Sequence, residues 1–290
     1  MNFKLMFVWL ASYPKSGNTM VRSLLATYFF SNDGIFNFDL IKNIKQFPNI
    51  TLFENFGVDI SDDDQIIKNY IKVQNTFCDK NSVQFLKTHS YLFNFYNKYS
   101  FTNLNNSIGA IYIVRDPRNI VTSLCKFANI SDEEATKKMI NEIYFGGNVN
   151  SENIADRTKV WTGTWAQNFN SWKSFTYQER YLLIKYEDLI ENTEKMFLKI
   201  LEFVHKLENK KFTINDDKFK NTIKTVSFRN MQHLEKKIGF HESKIDKKSG
   251  KKIPFFNLGP ENDWKKYLDL NLRKKIETAF EKEMLELGYL

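Results

Sequence analysis

The sequence predicts an α/β protein whose parallel central sheet carries helices on both faces, and three observations lead there. Short apolar runs at residues 5–11 (LMFVWLA), 83–86 (VQFL), 108–114 (IGAIYIV) and 181–185 (YLLIK) have the length of strands, and the clearest of them are apolar without alternation. Such runs suit strands buried on both faces of a parallel sheet. Stretches with helical spacing of apolar residues separate the runs, so the order reads strand, helix, strand, helix. The runs also deliver charged and polar residues at their carboxyl ends, where open α/β sheets carry their sites.

The first unit organises the rest. After residues 5–11 the chain breaks at Tyr13-Pro14-Lys15-Ser16-Gly17-Asn18-Thr19, and from Met20 the residues Val21, Leu24, Leu25 and Tyr28 fall on one helical face. A small-residue loop opening a helix leaves backbone N–H groups unpaired at its positive end, a place that holds phosphate or a similar anion. Lys15, Ser16 and Thr19 add an ammonium and two hydroxyls there. An ordinary turn with its lysine in water is the competing reading.

Residues 31–80 are polar, and Ser61-Asp62-Asp63-Asp64 reads as the capped start of a helix burying Ile66, Ile67, Tyr70 and Val73. The run at 83–86 leads to Lys87-Thr88-His89, a cation and an imidazole at a strand end. A structural histidine is the alternative for His89. The run at 108–114 ends in Arg115-Asp116-Pro117-Arg118, and Pro117 suits the first turn of a helix that buries Ile120, Val121 and Leu124 to about residue 128. Arg115 can fork two phosphate oxygens or pair with Asp116. Ser123 lies two turns into that helix.

Ser131 opens another capped helix, and Trp161, Trp165, Phe169 and Trp172 mark a tryptophan-rich helix over about 158–175 that forms core or cleft wall. The strand at 181–185 leads to Tyr186-Glu187-Asp188 and a helix over about 189–208. The last third is helical. Residues 236–252 form a lysine-rich, glycine-containing stretch that reads as a mobile loop, before a final amphipathic helix with Leu272, Ile276, Phe280 and Leu287.

With 290 residues, 42% of them hydrophobic, the chain can bury a sizeable core and is not a disordered one. Its two cysteines, Cys78 and Cys125, are too few for a disulfide framework or a zinc site and read as reduced thiols. A formal charge of +8 suits a polyanionic ligand, with a solvated lysine surface as the simpler account. No apolar stretch is long enough for a membrane helix. The N-terminal apolar run leads straight into the anion loop, so cutting it off as a signal peptide would delete the strand the loop depends on. Location in the cytoplasm is the expectation.

The loop is not a Walker A sequence, which places its lysine directly after a glycine. It resembles the 5′-phosphosulfate loop of sulfotransferases that use 3′-phosphoadenosine-5′-phosphosulfate. Four further stretches are similar to motifs of that family, in its order. They are Lys87-Thr88-His89, residues 112–123 with Arg115 and Ser123, residues 183–189 (LIKYEDL) with Tyr186, and Val226-Ser227-Phe228 with Met231. Departures accompany them. Met20 stands where the family often has a tryptophan, and Asn257-Leu258-Gly259 stands where its lid carries arginine, lysine and glycine.

The resemblance implies a P-loop-like three-layer fold in a single domain over residues 1–290. It implies a sulfuryl transferase with His89 as general base and with Lys15 and Lys87 neutralising charge on the leaving and transferring groups. The cofactor would be held by Lys15, Ser16, Gly17, Asn18, Thr19, Met20, Arg115, Ser123, Tyr186, Ser227, Phe228 and Gly259. After transfer, 3′,5′-bisphosphoadenosine remains. The acceptor would be a small molecule or a glycan or lipid hydroxyl or amine, with neither a metal nor nucleic acid required. Residues 31–80 and 129–157 would wall the acceptor cleft. A nucleotide kinase and a non-catalytic basic nucleotide- or polyanion-binding protein are the rival readings. The first would want a Walker lysine and a magnesium-binding acid. The second would show steep salt dependence.

Overall fold

A computed structural model of the chain describes residues 7–76, 83–151, 154–245 and 250–290. The central sheet has five parallel strands: β1 (Phe7–Ser12), β2 (Lys45–Gln46), β3 (Gln84–Thr88), β4 (Ser107–Val114) and β5 (Tyr181–Lys185). Their spatial order is β2-β3-β1-β4-β5. The central strand is thus the one that delivers the anion loop, paired with β3 through Val8↔Phe85 and with β4 through Val8↔Gly109. Leu5 and Met6, expected in β1, lie outside the described residues.

Side chains alternate across a strand, so β1 feeds two cores. Phe7, Trp9 and Ala11 join Phe47, Tyr70, Phe101 and Trp172 on one face. Val8 and Leu10 join Val21, Leu24, Ile111, Ile113 and Phe197 on the other. Both faces are therefore covered, as the missing alternation in the sequence requires.

The helices that position the site are α1 (Asn18–Phe30), α2 (Asp63–Thr76), α3 (Pro117–Ala128), α4 (Trp165–Trp172), α5 (Thr193–Leu207), α6 (Phe228–Ile238) and α7 (Leu270–Ala279). Several differ from expectation for local reasons. Asp62 rather than Ser61 accepts from the first turn of α2, through Asp64 N at 2.8 Å, because the Ser61 hydroxyl is turned back to Asp59. The tryptophan-rich helix begins only at Trp165. Gly163 takes a left-handed φ of 62° and Thr164 closes a capping box with Gln167, which fixes the start there. Trp161 therefore lies in the preceding extended segment and packs on Phe95. The helix expected over 189–208 is split by Asn192, which ends a short helix and caps α5 through Lys195 N.

The stretch 236–252 also differs. Residues 236–238 finish α6, Phe240 is buried, and β6 (Lys244–Ile245) pairs antiparallel with β7 (Lys252–Ile253). Cys125 is a free thiol. Cys78 lies outside the described residues. Among those residues no helix is long and apolar enough to cross a membrane.

Candidate functional site

The carboxyl ends of β1, β3, β4 and β5 open into one cavity of about 910 Å³. At its floor lies the loop after β1. Lys15 adopts a left-handed φ of 68° and Gly17 one of 97°. Gly17 cannot be replaced quietly, since a Cβ there would sit 2.3 Å from the Tyr186 ring. Gly17 is also the N-cap of α1, and no side chain caps that helix. Its first N–H groups consequently face an anion site without an internal acceptor. Ser16 is fully buried and its hydroxyl has no partner. The Lys15 ammonium packs between the Phe127 ring, at 3.9 Å, and the Phe255 ring, at 4.5 Å. Neither phenylalanine was marked by the sequence for this place.

His89 stands just past the end of β3. Its Nδ1 lies 2.9 Å from the Ser12 carbonyl oxygen, and a carbonyl only accepts, so Nδ1 carries the proton and donates it. The remaining nitrogen of the neutral ring, Nε2, is then the basic one. Burial, followed by the nearby Lys87 charge, pulls the imidazole down from its ordinary range to about 3. Two devices hold this arrangement, and neither was read from the sequence. Ser12 Oγ lies 3.2 Å from Nδ1 and accepts from Asn18 Nδ2 at 3.2 Å, which ties the ring to the anion loop. From the other side, Asn168 of α4 donates to the His89 carbonyl at 2.9 Å, and Trp172 Nε1 donates to the Ser90 carbonyl at 2.9 Å. The tryptophan-bearing helix thus fixes the backbone on which His89 stands.

Arg115, at the end of β4, ties three parts of the wall together. Its guanidinium donates to the Lys15 carbonyl and to the Gly259 carbonyl, both at 3.2 Å, and lies 4.2 Å from the centre of the Tyr186 ring. Its Nε is buried without a partner. The expected alternative, pairing with Asp116, does not occur. Asp116 is held by Arg118 instead, at 2.8 Å.

Met20, Ser123, Phe228 and Gly259 line the same cavity, as do Asn18 and Thr19. Gly259 has φ 51°, and a Cβ on it would strike the Phe228 ring at 2.2 Å. Ser227 is the exception. Its hydroxyl accepts from Asn230 N at 3.2 Å as the cap of α6, and it does not line the cavity.

At the other end the wall is built by Gln46, Pro48, Asn49, Phe145, Asp156 and Val160. These come from, or directly follow, the two stretches that the sequence left unassigned.

Lys87 is buried, and burial lowers its proton affinity while a carboxylate opposes that effect. The carboxylate is Glu242, from the stretch expected to be a mobile loop. One oxygen lies 3.4 Å from Lys87 Nζ, and the other accepts from Arg22 Nη1 of α1 at 2.5 Å. Burial would raise the Glu242 carboxyl, but Lys87 and Arg22 outweigh it and keep the group well below the usual carboxylate range.

Comparison with known proteins follows the same lines. A model of the sulfotransferase domain family matches residues 7–288. Among curated relatives, sulfotransferase 1E1 of Bos taurus is 23% identical over 178 residues, covering 60% of this chain and 54% of that protein. Sulfotransferase 2A1 of Homo sapiens is 24% identical over 178 residues, covering 61% and 56%. Against these two the match spans only a little more than half of the relative's length. Sulfotransferase 1A1 of Canis lupus familiaris is 21% identical over 285 residues, covering 96% and 83%. Among solved structures, retinol dehydratase in a complex with retinol and PAP superposes with a TM-score of 0.59 at 14% identity, covering 98% of this chain and 82% of that one. Mouse sulfotransferase SULT7A1 complexed with PAP superposes with a TM-score of 0.54 at 15% identity, covering 96% and 84%. At such identities the structures speak for a shared fold.

Proposed function

The chain belongs to the sulfotransferase domain family, and from that premise we propose that it is an enzyme moving a sulfuryl group from 3′-phosphoadenosine-5′-phosphosulfate to a hydroxyl or amine of a small-molecule acceptor. One observation carries the reading. His89 presents a basic Nε2, fixed by the Nδ1 bond to the Ser12 carbonyl, in the cavity that also holds the uncapped start of α1 and Arg115.

The residues suit the donor nucleotide. Ser16 Oγ and Arg115 Nε are buried polar atoms lacking partners, and the N–H groups opening α1 have no side-chain acceptor. The loop from Ser16 to Thr19 would take the 5′-phosphate, and Arg115 with Ser123 the 3′-phosphate. Tyr186, Met20 and Phe228 would flank the base, and Gly259 would close over it. When bound, the donor supplies a sulfuryl group on a phosphate leaving group. His89 takes the proton from the acceptor's hydroxyl or amine at Nε2, a task suited to a neutral imidazole. Lys15, from its aromatic clamp, answers negative charge growing on the leaving oxygen, and Lys87 answers charge on the transferring group. Solved members of the fold in complex with PAP support this assignment of the nucleotide. We read the chain as one domain over residues 1–290, and its free Cys125 suits the cytoplasm.

Two measurements test the reading. Calorimetry should show 3′,5′-bisphosphoadenosine binding far more tightly than AMP or ATP, and equal affinity for AMP would remove the 3′-phosphate from Arg115 and Ser123. A screen of alcohol, phenol, amine and glycan acceptors with radiolabelled donor should then reveal transfer. Loss of transfer on His89→Ala, with nucleotide binding intact, is the expected signature of the base.

A further inference from the structure

We propose that Glu242 is a positioning residue for the reaction, bridging Arg22 and Lys87 so that Lys87 stands charged and aimed at the junction of donor and acceptor. This rests on the sulfuryl-transfer reading given above. Lys87 reaches the cavity from the end of β3 with its side chain buried. An isolated ammonium in such a place tends to shed its proton. The nearest charges oppose each other. Arg22, two residues past Met20 on α1, adds a second buried cation, and Glu242 lies between the two with one oxygen on each. Arg22 is itself held by a second contact, from Nη2 to the Ile41 carbonyl at 3.4 Å. The carboxylate therefore has a fixed anchor on one side and a movable lysine on the other.

The remaining charged groups around the cluster are few. His241 lies 3.8 Å from Glu242 at the cavity mouth and also feels Lys42. His89 feels Lys87 and Glu242 with opposite signs. No second carboxylate appears among the groups acting on Lys87 or on Glu242. The Glu242 side chain is about one-fifth exposed, at 21%, so it sits at the cavity edge where a ligand can meet it. Lys87 consequently has an internal counter-charge that Arg115, across the cavity, does not have.

The consequence has a sign that can be tested in both directions. With Glu242→Gln, two buried cations face a neutral amide, so Lys87 should lose its proton about 1–3 pH units lower than in the wild type. With Arg22→Gln, the like charge is gone and the carboxylate remains, so Lys87 should hold its proton to higher pH than in the wild type. NMR of lysine labelled with ¹³C at Cε, with the Lys87 signal identified by its loss in Lys87→Met, reads both shifts without any need for activity. In the same variants, the alkaline limb of kcat for sulfuryl transfer should move down for Glu242→Gln and up for Arg22→Gln, and Glu242→Asp should restore most of the wild-type profile. The inference fails if Lys87 titrates identically in wild type and both glutamine variants, or if both shifts have the same sign. Should Glu242→Gln fail to fold, the Arg22→Gln shift alone decides. A Lys87 signal that moves as expected in a protein with no transfer activity would support the cluster and refute the reaction.

Discussion

Arg115 and Arg118 stand one turn apart past the end of β4 and are each 5% exposed, yet they are bound in different ways. Arg118 donates to both oxygens of Asp116, to Glu277 and to the Tyr289 carbonyl, and its guanidinium lies 4.0 Å from the centre of the Trp264 ring. Those contacts join β4, α7 and the last residues of the chain. Arg115 meets two carbonyls and a tyrosine ring, keeps an unpartnered Nε, and has no carboxylate bridge among the described residues. Burying a cation away from water is costly unless an anion accompanies it. Arg118 finds its anions inside the chain and so fastens the fold. Arg115 lacks one, and a bound phosphate would complete it. The same division separates the two sides of the cavity. The donor side holds cations without internal carboxylates, whereas Lys87 on the acceptor side is matched by Glu242.

If the division is right, residues turned to the cavity can be removed without weakening the fold. His89→Ala should lower turnover by about 10²–10⁴, the range for a positioned general base, while the thermal midpoint stays within a few degrees. A collapse in stability with activity per folded molecule retained would make His89 a structural residue. Arg118→Met should behave in the opposite way. It leaves Asp116 buried without its cation, which costs about 3–5 kcal/mol when a buried pair is broken. Urea titration would read that loss, and an unchanged midpoint would erase the contrast between the two arginines.

Arg115→Met sharpens the comparison from the other side. Removing a charge-assisted donor to phosphate should weaken bisphosphoadenosine by about 10- to 100-fold, from roughly 1.5–3 kcal/mol per such contact, with much less effect on AMP. Stability should change little or rise, because an uncompensated buried charge has gone. A smaller effect concerns pH. Burial and the Lys87 charge hold His89 at about 3 in the free protein, so its basic form persists as pH falls. The acid limb of kcat/KM for the donor should therefore lie below the ordinary histidine range near 6.5. Lys87→Met should move that limb upward, since it removes a cation that disfavours the protonated ring. A limb at 6.5 in both proteins would show that His89 is solvated.

Most of the sheet was legible because β1 and β4 are buried on both faces and carry unbroken apolar runs, a signal that depends only on neighbouring residues. The residues at the strand ends, Lys15, His89 and Arg115, were legible for the same reason. Ser12 was not, since a serine closing a strand gives no sign that it will hold both Asn18 and His89. Glu242 was hidden more deeply. Its surroundings, GFHESK, read as a solvated charged loop, and its partners Arg22 and Lys87 lie 220 and 155 positions away. Only the folded chain brings an arginine of α1 and a lysine of β3 to one carboxylate. Phe127 and Phe255 escaped likewise, because the clamp on Lys15 joins α3 to the lid.

The smallest expected effect lies where the lid departs from its relatives. Asn257 and Leu258 line the cavity beside Gly259 without adding charge there. Lys251 and Lys252 are close in sequence, and a mobile loop would have let them swing in. Instead Lys252 belongs to β7, with its ammonium 3.4 Å from the place a Cβ would occupy on Gly239, and neither lysine contributes to the cavity wall. Lys126 does contribute. It lies one turn beyond Ser123 on α3, and its ammonium rests 4.2 Å from the centre of the Tyr267 ring. A cation on a flexible, half-exposed stem is screened by water, so its contribution should match that of an exposed ion pair, about 0.2–1 kcal/mol. Lys126→Met should therefore weaken bisphosphoadenosine only by about two- to five-fold, more at low salt than at high salt, and leave AMP unchanged. The double change of Lys251 and Lys252 to alanine should alter neither nucleotide. If the double variant weakens bisphosphoadenosine and Lys126→Met does not, the hairpin rather than α3 completes the 3′-phosphate site, and Arg115 has its second cation from the lid after all.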